Sequence, residues 1–119
     1  MATLLVNTGK ANVTSALTSS TSKYIGWGTG AGTTALTDTT LFTETGSRTT
    51  GTQSQQTTTT TNDTYQVTGT ITAGGTLAIT NAGIFDASTS GNLFAKGDFS
   101  TINLSSGDSI AFTFKVQFT

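Results

Sequence analysis

The fold is decided by residues 108–119, DSIAFTFKVQFT, in which apolar and polar side chains alternate along the chain. Five apolar residues recur at every second position: Ile110, Phe112, Phe114, Val116 and Phe118. Alternation of this kind is typical of an antiparallel strand with one buried and one solvated face. We therefore predict a strand over residues 108–119, with all five apolar side chains facing one buried layer.

Four further stretches upstream carry strand patterns, with turn residues between them: 23–28, 65–73, 77–85 and 93–99. In 77–85 the apolar residues change from odd to even positions around Asn81 and Gly83, which predicts a β-bulge or full burial. The pair Asn62-Asp63 favours a tight turn. It predicts that residues 49–61 return as a strand paired with 65–73.

Two short stretches have helical character. Residues 8–17 place Val13, Ala16 and Leu17 at near-helical spacing behind Asn7 or Thr8, either of which can cap a helix. Residues 38–42 fit a single helical turn with Asp38 as its cap. A chain of 119 residues is one domain. We therefore expect an all-β domain over 1–119: an antiparallel β-sandwich or small barrel of six to seven strands, with one or two short helices.

Residues 46–64, GSRTTGTQSQQTTTTTNDT, contain no apolar side chain. Threonine supplies 31 of the 119 residues, and this β-branched residue suits a pleated, half-wet surface. We expect a polar, Thr-rich strand or loop here, lying in a contact between subunits or projecting outward.

The composition points to a surface rather than a catalyst. The chain has no histidine, cysteine or proline, so it lacks the commonest general base, the best nucleophile and the soft metal ligands. No catalytic residue, cofactor or metal site is predicted. Charged residues make up 9%, with five basic and six acidic side chains, so no field attracts nucleic acid or a membrane. A net charge near zero favours association.

The N-terminal residues 1–8 are predicted to form an arm. Leu4, Leu5 and Val6 are consecutive and apolar. The run is too short for a membrane anchor, and no basic region precedes it as in a signal peptide. A terminal apolar arm is frayed unless it docks, so we expect it to dock on a partner or a sister subunit. Tyr24 and Trp27, beside glycines near a loop, are candidates for a partner-facing contact, with core packing as the alternative.

Several chemical alternatives have weaker support. The glycines of residues 26–32 are not followed by the lysine of a phosphate-binding loop. The carboxylates are scattered and lack calcium-loop spacing. A Lys–Asn crosslink would need Lys23, Lys96 or Lys115 beside an asparagine and a carboxylate, whereas a solvated or edge-guarding charge is the simpler interpretation. The run Thr57–Thr61 alternates between two faces, so it does not form an ice-binding array.

Two longer stretches are similar to segments of small virion proteins of tailed bacteriophages. They are residues 23–44, KYIGWGTGAGTTALTDTTLFTE, and residues 79–118, ITNAGIFDASTSGNLFAKGDFSTINLSSGDSIAFTFKVQF. In that group a W-G-T-G turn leads through T-x-L-x-D-T-x-L to an acidic residue, and a G-I/L-F-D strand precedes a final alternating strand. The resemblance implies a capsid decoration (cement) protein on the outer capsid surface of the virion, where it bridges subunits of the major capsid protein.

Other functions remain open at this point. A tail-fibre or baseplate-associated receptor-binding module is the main alternative, although fibre modules usually belong to longer, repetitive chains. A cell-surface adhesin and an enzyme have less support. Identical chains on a capsid lattice meet at local threefold and twofold sites. We therefore expect a homotrimer on the particle, with a dimer as the second choice.

Overall fold

A computed structural model describes all 119 residues and shows one helix followed by seven strands. The elements are α1 (Asn7–Ser19), β1 (Tyr24–Gly28), β2 (Glu44–Thr50), β3 (Thr52–Gln56), β4 (Thr64–Thr72), β5 (Leu77–Phe85), β6 (Leu93–Leu104) and β7 (Ser109–Gln117). They form a four-stranded sheet, β2-β1-β5-β6, and a three-stranded sheet, β3-β4-β7. All pairings are antiparallel, and neither sheet closes into a barrel. The all-β, sandwich-like expectation is confirmed.

The strand predicted at 108–119 is β7. It pairs with β4 without a register shift, from Thr64–Gln117 to Thr72–Ser109. Its alternation is confirmed: the odd-numbered side chains are exposed and the even-numbered ones are half-buried, with Ile110, Phe112, Phe114 and Phe118 packed against the core. Phe112 lies edge-on to Trp27, with ring centroids 6.4 Å apart. The five apolar side chains are half-buried rather than fully buried, because β7 is the outermost strand of its sheet.

The predicted irregularity in residues 77–85 is a β-bulge. The pairing of β5 with β6 shifts register between Ile79 and Asn81. As a result Ile79 before the bulge and Ala82 and Ile84 after it all enter the core. Strand β6 extends to Leu104, five residues beyond the predicted end at 99.

Residues 49–61 do not form one strand, which corrects the sequence prediction. The chain crosses from one sheet to the other at Gly51: β2 pairs with β1, and β3 pairs with β4. The Gly51 N–H donates to the Lys23 carbonyl oxygen at 2.8 Å. A Cβ at this position would lie 2.4 Å from Val67 Cγ1, so only glycine fits the crossing. Residues 57–63 form a loop, not a tight two-residue turn.

Helix α1 packs against β3 and β4 through polar contacts. The Gln55 amide donates to the Ala11 carbonyl at 2.9 Å and to the Thr14 hydroxyl at 2.8 Å. Thr14 is fully buried and donates to the Asn62 carbonyl at 2.7 Å. The predicted helix is confirmed, but neither Asn7 nor Thr8 caps it. Val6 occupies the N-cap position, and no side chain makes a capping hydrogen bond.

The helical turn predicted at 38–42 is absent, and these residues belong to the long connection between β1 and β2. The Asp38 carboxylate instead accepts the N–H of Ala35, which precedes it, at 3.0 Å. Asp38 therefore closes the turn before it and does not start a helix after it.

Candidate functional site

The N-terminal arm is the most exposed apolar segment of the chain. The first six residues have no helix or strand, and the side chains of Leu4, Leu5 and Val6 are 79%, 47% and 61% exposed. Because α1 begins at Asn7, the arm is two residues shorter than predicted. A shallow cleft of about 420 Å³ lies under it, lined by Leu4, Leu5, Val6, Asn7, Lys10 and Thr119. The arm thus presents apolar side chains that this chain leaves unburied.

Tyr24 and Trp27, predicted as candidates for contact with a partner, differ in accessibility. Trp27 is 2% exposed and belongs to the core cluster together with Ile25, since both lie on the inward face of β1. Trp27 is therefore a core residue and presents no surface to a partner in this chain. Tyr24 is half-buried and retains some accessible surface. Whether Tyr24 and the arm residues contact a partner stays a prediction.

The glycine-rich stretch after β1 binds the protein's own backbone. Thr29 N–H donates to the Thr43 carbonyl at 3.1 Å, and Gly30 N–H donates to the Phe42 carbonyl at 2.9 Å. These N–H groups extend the pairing of β1 with β2. They are therefore not directed outward, as the amides of a phosphate-binding loop would be.

Residues 29–43 lie across the outer face of the four-stranded sheet, where hydrogen bonds and packing hold them. The amide of Asn81 makes two bonds with Phe42: its oxygen accepts the Phe42 N–H at 3.0 Å, and its nitrogen donates to the Phe42 carbonyl at 3.1 Å. Leu41 is buried over the cross-strand pair Gly26–Gly83. A Cβ at Gly83 would lie 3.0 Å from Leu41 Cδ2, so the two glycines leave the space that Leu41 fills.

Lys96 is a buried cation, which corrects the expectation of a solvated charge. Its side chain is 2% exposed, and its Nζ lies 2.9 Å from Asp38 Oδ2 and 3.0 Å from the Thr40 carbonyl. The Nζ also lies 3.2 Å from the centroid of the Phe42 ring. The N–H of Ala35 and the Lys96 ammonium lower the pKa of Asp38. The ion pair between Lys96 and Asp38 therefore holds the connection between β1 and β2 against β6.

The two other lysines considered for a crosslink, Lys23 just before β1 and Lys115 on β7, differ from each other. Lys23 is also buried, with its ammonium 5.3 Å from the centroid of the Phe94 ring. Lys115, on β7, is exposed as predicted.

Arg48 holds the hairpin loop between β5 and β6. Its guanidinium forms two bonds with Glu44, at 2.7 and 3.0 Å, and donates to the carbonyls of Ala87 and Ser90 at 2.9 and 2.7 Å. It lies 3.5 Å from the centroid of the Phe85 ring. A polar cleft of about 530 Å³ adjoins it. Sequence reasoning missed this cluster, since Glu44 and Arg48 would lie roughly 13 Å apart in a regular strand.

A register shift explains how Glu44 and Arg48 meet. The pairing of β1 with β2 slips between Ile25 and Trp27, and Gly46 on β2 has a φ of 73°. This local kink shortens β2 and brings its two charged side chains together.

The carboxylates Asp86 and Asp98 bind backbone N–H groups of loops, Asp86 within its own hairpin loop and Asp98 from β6 to the connection between β1 and β2. Asp86 accepts the backbone N–H of Asn92 at 2.7 Å, and Asp98 accepts the N–H of Thr34 at 2.8 Å. The Asn92 N–H lowers the pKa of Asp86, and the hydroxyl and the N–H of Thr34 lower the pKa of Asp98. The structure shows no group of three or more His, Cys, Asp and Glu side chains that could hold a metal ion.

Three further apolar side chains are exposed and were not predicted: Leu36, Phe94 and Ile102. Leu36 and Phe94 line a cleft of about 400 Å³ beside the Asp38–Lys96 ion pair. Leu36 lies in a stretch without alternation, so no sequence pattern assigned it to a face. Phe94 falls beside a register shift in the β5–β6 pairing, which displaces it from the regular alternation.

The only helix, α1, has 13 residues, and the structure contains no helix with the length and apolar character needed to cross a membrane. Comparisons with protein families, curated proteins and solved structures find no match to this chain.

Proposed function

We propose that this protein is a structural component of a bacteriophage virion that decorates the outer surface of the capsid. There it stabilises the shell by bridging neighbouring subunits of the major capsid protein. Two features support this proposal: the resemblance of residues 23–44 and 79–118 to small phage virion proteins, and an arm suited to docking on a partner. Shell stabilisation needs many modest contacts and no reactive site.

The observation that carries the proposal is the exposure of Leu4, Leu5 and Val6 immediately before α1. Full burial of a Leu or Val side chain stabilises a complex by about 1.5–3 kcal/mol. Three such side chains give one copy a modest affinity for the shell. Repetition over a capsid lattice turns that affinity into mechanical reinforcement.

Deleting residues 1–6 tests the role of the arm. We expect the truncated protein to lose at least about tenfold in affinity for particles, since tenfold corresponds to 1.4 kcal/mol. Its urea denaturation midpoint should fall proportionately less than its affinity, because the deleted side chains are exposed and α1 loses only the Val6 carbonyl, which accepts the Lys10 N–H at 3.0 Å. Leu36→Ser is the control, since it removes an apolar side chain elsewhere that is even more exposed than those of the arm. Equal particle binding by the truncated and the full-length protein would refute the docking of the arm.

Particles that lack the protein test the role in the shell. We expect them to release their contents at a lower temperature, and under milder osmotic shock, than complete particles. Adding the purified protein back should restore resistance. If depleted particles withstand heating as well as complete ones but fail to adsorb to cells, the protein is a tail-fibre or baseplate-associated receptor-binding module instead.

A further inference from the structure

Strand β7 has a free edge that presents a regular row of backbone groups. Phe118 N–H donates to the Asp63 carbonyl at 2.9 Å, and the Asp108 carbonyl accepts the Ala73 N–H at 2.7 Å, both on the side of β4. Backbone groups alternate in direction along a strand, so the even-numbered residues of β7 bond toward β4. The backbone N–H and C=O groups of the odd-numbered residues point away from β4, and no element pairs with them. These residues are Ala111, Thr113, Lys115 and Gln117.

The apolar pattern of β7 is symmetric about Phe114. When two copies lie antiparallel with Phe114 opposite the second copy's Phe114, Phe112 faces Val116 and Ile110 faces Phe118. Every half-buried apolar side chain of the strand then meets another apolar side chain, on the core face of the joined sheets. A twofold contact requires self-complementarity of this kind, and neither an unrelated strand nor a shifted register matches all five positions.

The charges and hydrogen bonds of this edge also fit a second copy. Lys115 is the only charged residue of β7, and in this register it lies opposite Thr113 and not another lysine. The four outward-facing residues of each strand supply about eight backbone hydrogen bonds. Specific interfaces carry about 10 ± 5 direct hydrogen bonds, so the edge alone provides an ordinary number.

The neighbouring edge, β6, is less suited to pairing. Its pairing with β5 shifts register twice, and such bulges twist an edge away from a flat partner. The pairing of β7 with β4 has no shift over nine residue pairs. Edges β2 and β3, which carry the polar stretch 46–64, lie at the opposite ends of the two sheets. A contact through β7 therefore leaves that stretch free.

We propose that two copies of this chain associate through their β7 strands, antiparallel and centred on Phe114, to form one continuous six-stranded sheet, β3-β4-β7-β7-β4-β3. This contact goes beyond capsid decoration, because it forms between free molecules and uses neither the arm nor the polar stretch. Its success or failure is therefore independent of the particle experiments.

Sedimentation equilibrium of the purified chain is the first test. The parent should change from 12.1 kDa to twice that mass as its concentration rises toward about 1 mM. Thr113→Pro removes an N–H that makes no bond within the chain, so it should raise the dimer dissociation constant at least tenfold while the monomer stays folded. Thr113→Val keeps the N–H and should dimerise like the parent. A parent that stays monomeric, or a Thr113→Pro variant that dimerises equally well, overturns the proposal.

Single cysteines test the register, and the natural chain contains no cysteine to interfere. Phe114→Cys should form a disulfide-linked dimer under mild oxidation, since the two Cβ atoms of a directly opposed pair lie about 4.5–5.5 Å apart. Thr113→Cys should crosslink far less, because in this register residue 113 of one copy lies opposite residue 115 of the other, so the two cysteines do not face each other. Absence of crosslinking in both variants places the contact elsewhere and overturns the proposal. This experiment also decides the matter if Thr113→Pro fails to fold.

Discussion

Asp63 is the side chain that accepts the most backbone hydrogen bonds in the loop between β3 and β4. It is 1% exposed, and its carboxylate accepts the N–H groups of Thr58, Thr59 and Thr60 at 2.9–3.1 Å. The Thr64 hydroxyl and the Gln117 amide also donate to it, at 2.9 and 3.0 Å. Burial would raise the pKa of Asp63, but these hydrogen bonds outweigh it and hold the pKa far below 3.8.

The lowered pKa of Asp63 makes stability depend on pH. As the pH falls through the ordinary value of 3.8, the unfolded chain takes up a proton before the folded chain does. The stabilisation is therefore complete above about pH 5 and is lost progressively in more acidic solution. The pKa values of Asp38, Asp86 and Asp98 are lowered too, so they act in the same direction.

Asp63→Asn should lower the urea denaturation midpoint at pH 7 and flatten its decline between about pH 5 and pH 2. The amide loses one acceptor oxygen and places an NH₂ against backbone donors. Asp108→Asn is the control, because that carboxylate is exposed and accepts a single backbone N–H, from Ser105. Midpoints that fall equally for both variants would contradict the assigned role of Asp63.

At the scale of elements, Gly51 decides where the polar stretch changes sheets. Gly51→Ala should destabilise the fold by about 1–3 kcal/mol, because its Cβ would overlap Val67 and approach the Lys23 carbonyl. Gly74→Ala is the matched control: no atom lies within 4 Å of the added Cβ, and we expect a change within about 0.5 kcal/mol. Thermal or urea unfolding of both variants measures the difference, and equal stabilities would show that the crossing tolerates a side chain.

The elements that the sequence could predict are those with an apolar periodicity. Strand β7 and the bulge of β5 were both predicted from the positions of their apolar residues. The break at Gly51 could not be predicted, because both faces of residues 46–64 are polar and no periodicity marks a change of partner. The burial of Lys96 could not be predicted either, because it depends on Asp38 and Phe42. These two residues lie 54 or more positions away in sequence and reach Lys96 only when the chain folds back across the sheet.

At the scale of the whole molecule, the sandwich has two different sides. One side carries the polar edges β2 and β3, and the other carries β6 and the apolar edge β7. The Gln53 and Gln55 side chains of β3 bind α1, so Thr52 and Gln56 are left as its exposed residues. Threonine and glutamine can hydrogen-bond to a neighbour through water without an apolar core.

We predict that this polar side lies in a homotrimer contact on the particle, with a dimer as the second arrangement. Because β7 lies on the other side, a threefold contact at residues 46–64 and a twofold contact at β7 can coexist. A density map of the decorated particle checks this directly. Isolated monomers whose residues 46–64 neither touch another subunit nor project from the shell would refute it.

The pairing of β4 with β7 also has a consequence for how the chain folds. Its pairs join residues that are 37 positions apart at Thr72–Ser109 and 53 apart at Thr64–Gln117. Loops of this length must close before any of these contacts forms, which slows folding. During synthesis β4 can pair only with β3 until residues 109–117 emerge from the ribosome. Until then the edge of β4 that later pairs with β7 has no partner within the chain, and unpaired edges of this kind are where unfinished chains associate.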